Sequence, residues 1–469
     1  MIMDSVDLKS YGIGTVLDQD SPKNALFKIA KESGLLAESR EFAKHLDSLD
    51  KLGHLRQLFE IPLIKDLPCS KKEKYDGEEE CLYFCGNSLG LKPKKADVYL
   101  NEVAKDWGRT AVFMHFNGLY PAALCDMYPK PLLVKIIGAA KESEVAVMNG
   151  LTVNLHLLMV SFYRPTEKKY KIVIEDHAFP SDRYAVVSQM KLHNVNPNDG
   201  LITCKPRKGE EIIRTEDILR VLEEEGDSVA LVMLSGVQYY TGQKFDIKVI
   251  TEAAKTKGCI VGWDLAHAIG NVKLALHEWN VDFATWCSYK YLNSGAGGIS
   301  GIFVHELHHG KNHHPQLLGW WSNAQSTRFE MRKEVDIAEG ADSFRLCNPP
   351  PLLVAPHMAS LEIFDQAPES ERMAKQYLLT GYLEWLISFL LKDEVKIITP
   401  AIPRERGCQL SFVFKRDLKE VHKELESRGI VCDVRLPSVM RIAPTPLYNK
   451  YEEVYRFVII LKEVLEAES

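Results

Sequence analysis

The middle of the chain is built from short runs of β-branched and other apolar residues, separated by helix-forming stretches. Lys171 to Ile174, Val229 to Leu234, Cys259 to Gly262, Phe283 to Cys287 and Gly301 to Val304 are each too short for a helix and show no polar alternation. Strands of that kind are buried on both faces, so helices must cover the sheet above and below. One such helix is expected over Asp246–Lys257, closed by Gly258. The rhythm predicts an α/β fold with a mostly parallel sheet. Asp176 and His177, Ser235, Asp264 and Lys290 follow directly on these runs. Ligands in open α/β sheets bind beyond the carboxyl ends of the strands, so a site is expected where these residues lie.

A chain of 469 residues exceeds one ordinary core, so two lobes are expected. Residues 1–80 read as a charge-rich helical arm. Ser21-Pro22 starts a helix that Gly34 stops, a second amphipathic stretch runs from Arg40 to Phe59, and Pro68 to Glu80 reads as a loop. After Asn348 and the prolines 349–351 the pattern changes again. A helical stretch over 352–392 precedes strands near 395–399 and 408–414. A helix over 417–427, strands near 430–434 and 439–443, and a final helix from about 450 complete the chain. The expected organisation is an arm (1–80) packing with the small domain, a large α/β cofactor domain (81–345) and a small α+β domain (346–469).

A net charge of −6, a pI near 6.2 and the lack of a basic stripe argue against nucleic acid as a partner. No apolar run approaches membrane-spanning length, and the first ten residues carry charges where a signal peptide needs an apolar core. Ten scattered cysteines without a CxxC pair suit a reducing compartment, so a cytoplasmic location is expected.

Two motifs match by letter and fail on context, and a glycine run lacks the spacing of a third. His305-Glu306-Leu307-His308-His309 has the H-E-x-x-H spacing, which binds zinc only on a helix, yet here it trails a strand and enters a polar loop. No metal is expected. Gly86-Asn87-Ser88-Leu89-Gly90 imitates the nucleophile elbow of serine hydrolases, but only one strand precedes it. A hydrolase built on Ser88 is the alternative from a different enzyme class. The glycines at 295, 297 and 298 precede a strand, whereas a dinucleotide fingerprint follows one.

One constellation remains. Pyridoxal phosphate needs an amine, an acid against its ring nitrogen, an aromatic platform and a phosphate cup. Lys290, in "WCSYKYLNSGAGG", and Asp264, in "VGWDLAHAIG", end neighbouring strands and supply the first two. His267 lies close enough in sequence to rest near the ring or the phosphate. Gly150, Leu151 and Thr152 open a helix whose free amides favour an anion. In "EDHAFPSD", Phe179 is the platform candidate, with Pro180, Ser181 and Asp182 beyond it.

These stretches, with "YFCGNSLGLKP", "LTVNLHLL", "LGWW", "ERGCQL" and "RIAPTPLYN", follow one another in order and resemble the kynureninase family of class V pyridoxal-phosphate enzymes. The resemblance implies the fold-type-I transferase architecture, a large seven-stranded-type sheet domain beside a small α+β domain. It implies hydrolytic Cβ–Cγ cleavage of L-kynurenine or 3-hydroxy-L-kynurenine, giving alanine and an anthranilate. Lys290 would carry the cofactor and Tyr289 would relay protons. Leu151, Thr152, Phe179, Pro180, Ser181, Asp182, Ser235, Asp264, His267 and Tyr289 would line the cofactor. Trp320 and Asn348 would complete the phosphate cup from the partner subunit of a homodimer. Arg441 would clamp the substrate carboxylate, and Ser88, His115 and Asn348 would face its aromatic end. Leu119-Tyr120-Pro121 and Cys347 depart from the family pattern near that end. An aminotransferase or cysteine desulfurase on the same scaffold is the nearer alternative.

Overall fold

The computed structural model describes residues 5–68, 78–310 and 315–467, so most of the loop expected over Pro68–Glu80 lies outside the described residues. The chain divides into two compact units. One comprises residues 1–94, 239–244 and 363–469, and the other 95–238 and 245–362. Residues 81–94 thus group with the arm, because Leu82–Tyr83 pairs in parallel with Ile430–Val431. Residues 346–362 group with the large sheet.

That sheet has seven strands: β1 Val145–Val147, β2 Lys171–Glu175, β3 Leu201–Cys204, β4 Val229–Ser235, β5 Ile260–Asp264, β6 Phe283–Trp286 and β7 Gly301–Val304. Their spatial order is β1-β7-β6-β5-β4-β2-β3. The run from β6 to β3 is parallel, and β7 is antiparallel to both its neighbours. The fold is the α/β architecture expected. β4 shows why these runs are strands: every residue from Val229 to Leu234 is buried, and only Ser235 reaches partly into solvent.

Helices α1 Leu151–Phe162, α2 Pro180–Leu192 and α3 Ile247–Thr256 follow β1, β2 and β4. The Asp246 carboxylate caps α3 by accepting the Val249 amide at 3.1 Å. Leu155, Leu158 and Phe162 of α1 pack with Ile172, Leu231, Phe283 and Ile302 of the sheet. The Phe162 and Phe283 rings stack at 5.0 Å between centroids.

In the other unit, strands β8 Val395–Ile397, β9 Leu410–Phe414, β10 Asp433–Arg435 and β11 Val439–Ile442 form an antiparallel sheet in the order β8-β9-β11-β10. Helices Pro22–Ser33 and Arg40–Leu49 share one apolar core with Glu369–Leu390, Leu418–Ser427 and Tyr451–Ala467, through Leu26, Phe42, Leu383, Val421 and Phe457. Two expected helices are shorter than the sequence suggested. The stretch 352–392 is two helices, Pro351–Asp365 and Glu369–Leu390, parted at Pro368, which has no amide to continue the ladder. The stretch from Arg40 ends at Leu49, where Asp50 takes the Leu52 amide at 2.9 Å and the Lys375 ammonium at 2.7 Å, and Gly53–Leu58 is a tighter 3-10 turn.

A Cβ placed on Gly262 of β5 would lie 2.2 Å from Cζ of Phe283 on the next strand. Gly262→Ala is therefore expected to cost about 1–3 kcal/mol of stability in a denaturant titration, the usual penalty for overpacking a filled core. An unchanged midpoint would show that the Phe162–Phe283 stack has room to shift.

Candidate active site

Lys290 lies in the link between β6 and β7, adjacent antiparallel strands. The link is tied internally. The Ser288 hydroxyl bonds Ser294 and the Ile299 carbonyl, the Ser294 amide donates to Ser288 O at 3.2 Å, and Asn293 Nδ2 donates to Tyr291 O at 2.9 Å. Gly295 and Gly297 take φ of 83° and 68°, the left-handed turns that bring the chain back to β7. Lys290 Nζ lies 3.0 Å from His267 Nε2 and 5.9 Å from the ring centroids of both Phe179 and Tyr289. The Tyr289 phenol is held above its ordinary pKa by burial first and by Cys287 second, so it keeps its proton at neutral pH.

Asp264 ends β5, in register with Ser235 of β4 and Thr285 of β6. It accepts the Ala266 amide at 2.7 Å, a turn-capping bond that fixes its carboxylate. Asp182 comes from the first turn of α2. Both are buried, and their carboxyl groups interact directly. Burial, followed by Asp264, holds Asp182 well above the ordinary carboxylate range, with Lys290 opposing. Asp182 Oδ1 has no hydrogen-bond partner among the described residues. Two buried carboxylates facing each other call for a shared proton or a cation. A protonated pyridine nitrogen meets that need.

Sequence reasoning missed a third buried acid. Glu175 ends β2 and accepts the Ser235 hydroxyl at 2.6 Å and the Ser235 amide at 3.3 Å. Burial, partly offset by these bonds, pushes its pKa up to about 7. The available signal was an acid terminating a buried apolar run, the same signal that marked Asp264.

An anion cup lies at the start of α1. Gly150 precedes Leu151 in extended conformation with no side-chain cap, and a Cβ there would meet nothing within 4 Å. The Thr152 hydroxyl pairs with that of Ser181, beside Pro180 in the first turn of α2, at 2.6 Å. Uncapped amides and two hydroxyls suit a phosphate. The amine, the acid pair and this cup therefore fit pyridoxal phosphate.

Other candidates lie apart from this cluster. Trp320 and His115 belong to an exposed aromatic row. The His115 and Phe116 rings lie 6.5 Å apart, Phe116 and Phe329 5.2 Å, and Phe329 and Trp320 5.6 Å. Trp320 Nε1 donates to Arg328 O at 3.0 Å, and Asn348 is exposed next to the exposed Cys347. Tyr120 is buried edge-to-face between Tyr99 and Tyr128, so the divergent 119–121 segment is an aromatic prop.

Ser88 and Arg441 belong to the first unit. Ser88 is half-buried, follows a two-residue strand and bonds Cys85 instead of a histidine, which removes the nucleophile-elbow reading. In the H-E-x-x-H stretch, His305 and His309 turn Nε2 to different backbone carbonyls, those of His277 at 3.2 Å and Val304 at 3.1 Å. Glu144, His277 and His305 bring ligand atoms within 4.8 Å of one another, but Glu144 accepts two amides and His277 Nδ1, and His305 Nδ1 accepts the Leu307 amide.

The pKa of Glu175 has a consequence for pH. Its ordinary value is 4.5 and its folded value is about 7, so between these the folded chain keeps a proton that the unfolded chain has released. The resulting stability is whole below about pH 4.5 and lost as pH rises through 7. In the cofactor-free protein, wild type minus Glu175→Gln is expected to fall by on the order of 3 kcal/mol between pH 4 and pH 8, read by chemical denaturation. A flat difference would contradict the assigned proton.

The family described as Kynureninase C-terminal domain matches residues 373–461. Proteins named kynureninase match nearly the whole chain. The human protein is 49% identical over 454 residues, covering 95% of this chain and 97% of its own length. That of Nematostella vectensis is 48% identical, covering 94% and 97%, and that of Flavobacterium johnsoniae is 46% identical, covering 91% and 98%. Among solved structures, a C-DES mutant with glycine covalently linked to its PLP cofactor superposes with a TM-score of 0.67 at 15% identity, covering 84% of this chain and 99% of its own. An apo cysteine desulfurase from Thermococcus onnurineus gives 0.66 at 17% identity, covering 87% and 99%. At that identity the likeness concerns the fold, while the full-length relatives settle the descent: the chain belongs to the kynureninase family.

Proposed function

We infer that this chain is a pyridoxal-phosphate-dependent hydrolase that cleaves the Cβ–Cγ bond of L-kynurenine or 3-hydroxy-L-kynurenine, releasing L-alanine and anthranilate or 3-hydroxyanthranilate. This is a step of tryptophan catabolism toward NAD. The observation that carries the reading is Lys290 near a buried aspartate pair, Asp264 at a strand end and Asp182 on the first turn of a helix, in a chain 49% identical to a kynureninase.

The cofactor, once bound, supplies an electron-accepting ring. The chain's residues supply the rest. Asp264, backed by Asp182, would hold a proton on the ring nitrogen. Phe179 and His267 would flank the ring, and Leu151, Thr152, Pro180, Ser181 and Ser235 would line the cofactor and its phosphate. Lys290 Nζ would take the Cα proton of the substrate and return it, with His267 Nε2 as its hydrogen-bond partner. Tyr289, which keeps its phenolic proton, would deliver one to Cβ as water completes cleavage at the ketone. Arg441 is proposed for the α-carboxylate, and Ser88, His115 and Asn348 for the aryl end.

A homodimer is proposed, with Trp320 and Asn348 serving the partner's phosphate cup. The support is the exposed aromatic row of Phe116 (59%), Phe329 (44%) and Trp320 (48%), large apolar rings left at the surface in mutual contact. A cytoplasmic location is proposed from the nine free described cysteines; no helix among the described residues is long and apolar enough to cross a membrane.

Borohydride reduction of the yellow protein is expected to fix the cofactor on Lys290. Lys290→Ala should abolish that adduct and lower turnover at least about 10³-fold, and Asp264→Asn should lower kcat by about 10²–10³ with cofactor still bound. An adduct on another lysine, or no alanine from either kynurenine, would reject the reading. Sedimentation is expected to find a dimer that Phe116→Asp weakens; a wild-type monomer with full activity would remove the shared-site reading.

A further inference from the structure

Arg441 is 1% exposed in its side chain, which makes its charge costly unless a counterion is built in. It lies on β11, the strand of the small sheet between β9 and β10. Asp433 of β10 stands directly opposite it in the antiparallel register, which puts both side chains on one face. The Asp433 carboxylate takes one edge of the guanidinium: Nε donates to Oδ1 at 3.1 Å, and Nη2 lies 2.6 Å from Oδ2. Nη1 donates to Tyr239 O at 2.8 Å. Of the five N–H groups of an arginine, one on each terminal nitrogen is left without a partner among the described residues. Both terminal nitrogens thus keep a donor that a second carboxylate can take.

The charges do not close around Asp433. Its Oδ2 also accepts Arg435 Nη2 at 3.2 Å, and Arg435 Nε is a buried donor with no partner. Two guanidinium groups thus share one carboxylate, an excess of one positive charge among these three residues, with Arg441 buried, Asp433 largely buried and Arg435 partly exposed. A second carboxylate would neutralise it.

We propose that Asp433 is the positioning residue of the substrate-carboxylate site: it grips one edge of Arg441 so that the other stays free, and Arg435 supplies the charge that keeps the site short of one anion. The proposal rests on Arg441 as the carboxylate clamp. It assigns Asp433 no proton transfer and no contact with substrate. Losing Asp433 lets the guanidinium swing, which weakens binding of any carboxylate substrate and leaves the chemistry at Lys290 in place.

The test uses the cofactor-loaded enzyme with whichever kynurenine it turns over, and the corresponding amine, which lacks the α-carboxylate, as competitive inhibitor. Asp433→Asn is expected to raise KM at least tenfold with kcat within about threefold and the visible spectrum intact, while the amine's inhibition constant stays the same. An unchanged KM, or equal weakening of substrate and amine, would overturn the proposal. Arg435→Met, at a position whose side chain is 39% exposed, carries the test if the Asn variant does not fold. Its KM should rise severalfold, and an unchanged KM would count against the proposal. Arg441→Lys separates the two levels. If Arg441→Lys leaves KM alone, the clamp reading fails and the proposal with it. If it raises KM and neither other variant does, only the proposal fails.

Discussion

The burial of Asp182 against Asp264 is the constraint on which the site depends. Both carboxylates are buried, one on a strand end and one on the first turn of a helix, and neither can turn to water without moving its element. Such a pair is met by a shared proton or by a positive centre. Glu175, two strands over from Asp264, holds Ser235 of the intervening strand by its hydroxyl, so three buried acids come from separate elements.

Strand ends concentrate chemistry because a parallel sheet stops all its strands on one side. β2, β4 and β5 deliver Glu175, Ser235 and Asp264 there, and the link after β6 delivers Lys290. The helices that follow β1 and β2 start on that same side and bring free amides, Thr152 and Ser181 with them. Positioning is therefore a by-product of topology, and little of it costs separate stabilising contacts.

That geometry explains what was readable beforehand. β4, β5, β6 and β7 are nearly all buried, so their apolar runs stand out, and polar residues just past them were conspicuous. β1 has three residues and β3 is a half-buried edge, too little pattern to find. Glu175 ends its strand just as Asp264 does, and was passed over in favour of Asp176 and His177, which follow it. The assignment of 239–244 to the first unit depends on contacts distant in sequence, such as the Thr399 hydroxyl with Thr241 O at 2.5 Å, which no local pattern encodes. The break at Pro368 was legible and was overridden by the length of the apolar stretch around it.

The link that carries Lys290 begins and ends in neighbouring strands of one sheet. Its ends are closed by the ladder itself, so the entropy of loop closure is met by sheet formation and not by the cofactor. The bonds inside the link, among Ser288, Ser294, Ile299, Tyr291 and Asn293, then have only its interior to order. Cofactor could then come and go through movements elsewhere while the ends of its anchoring link stay in place.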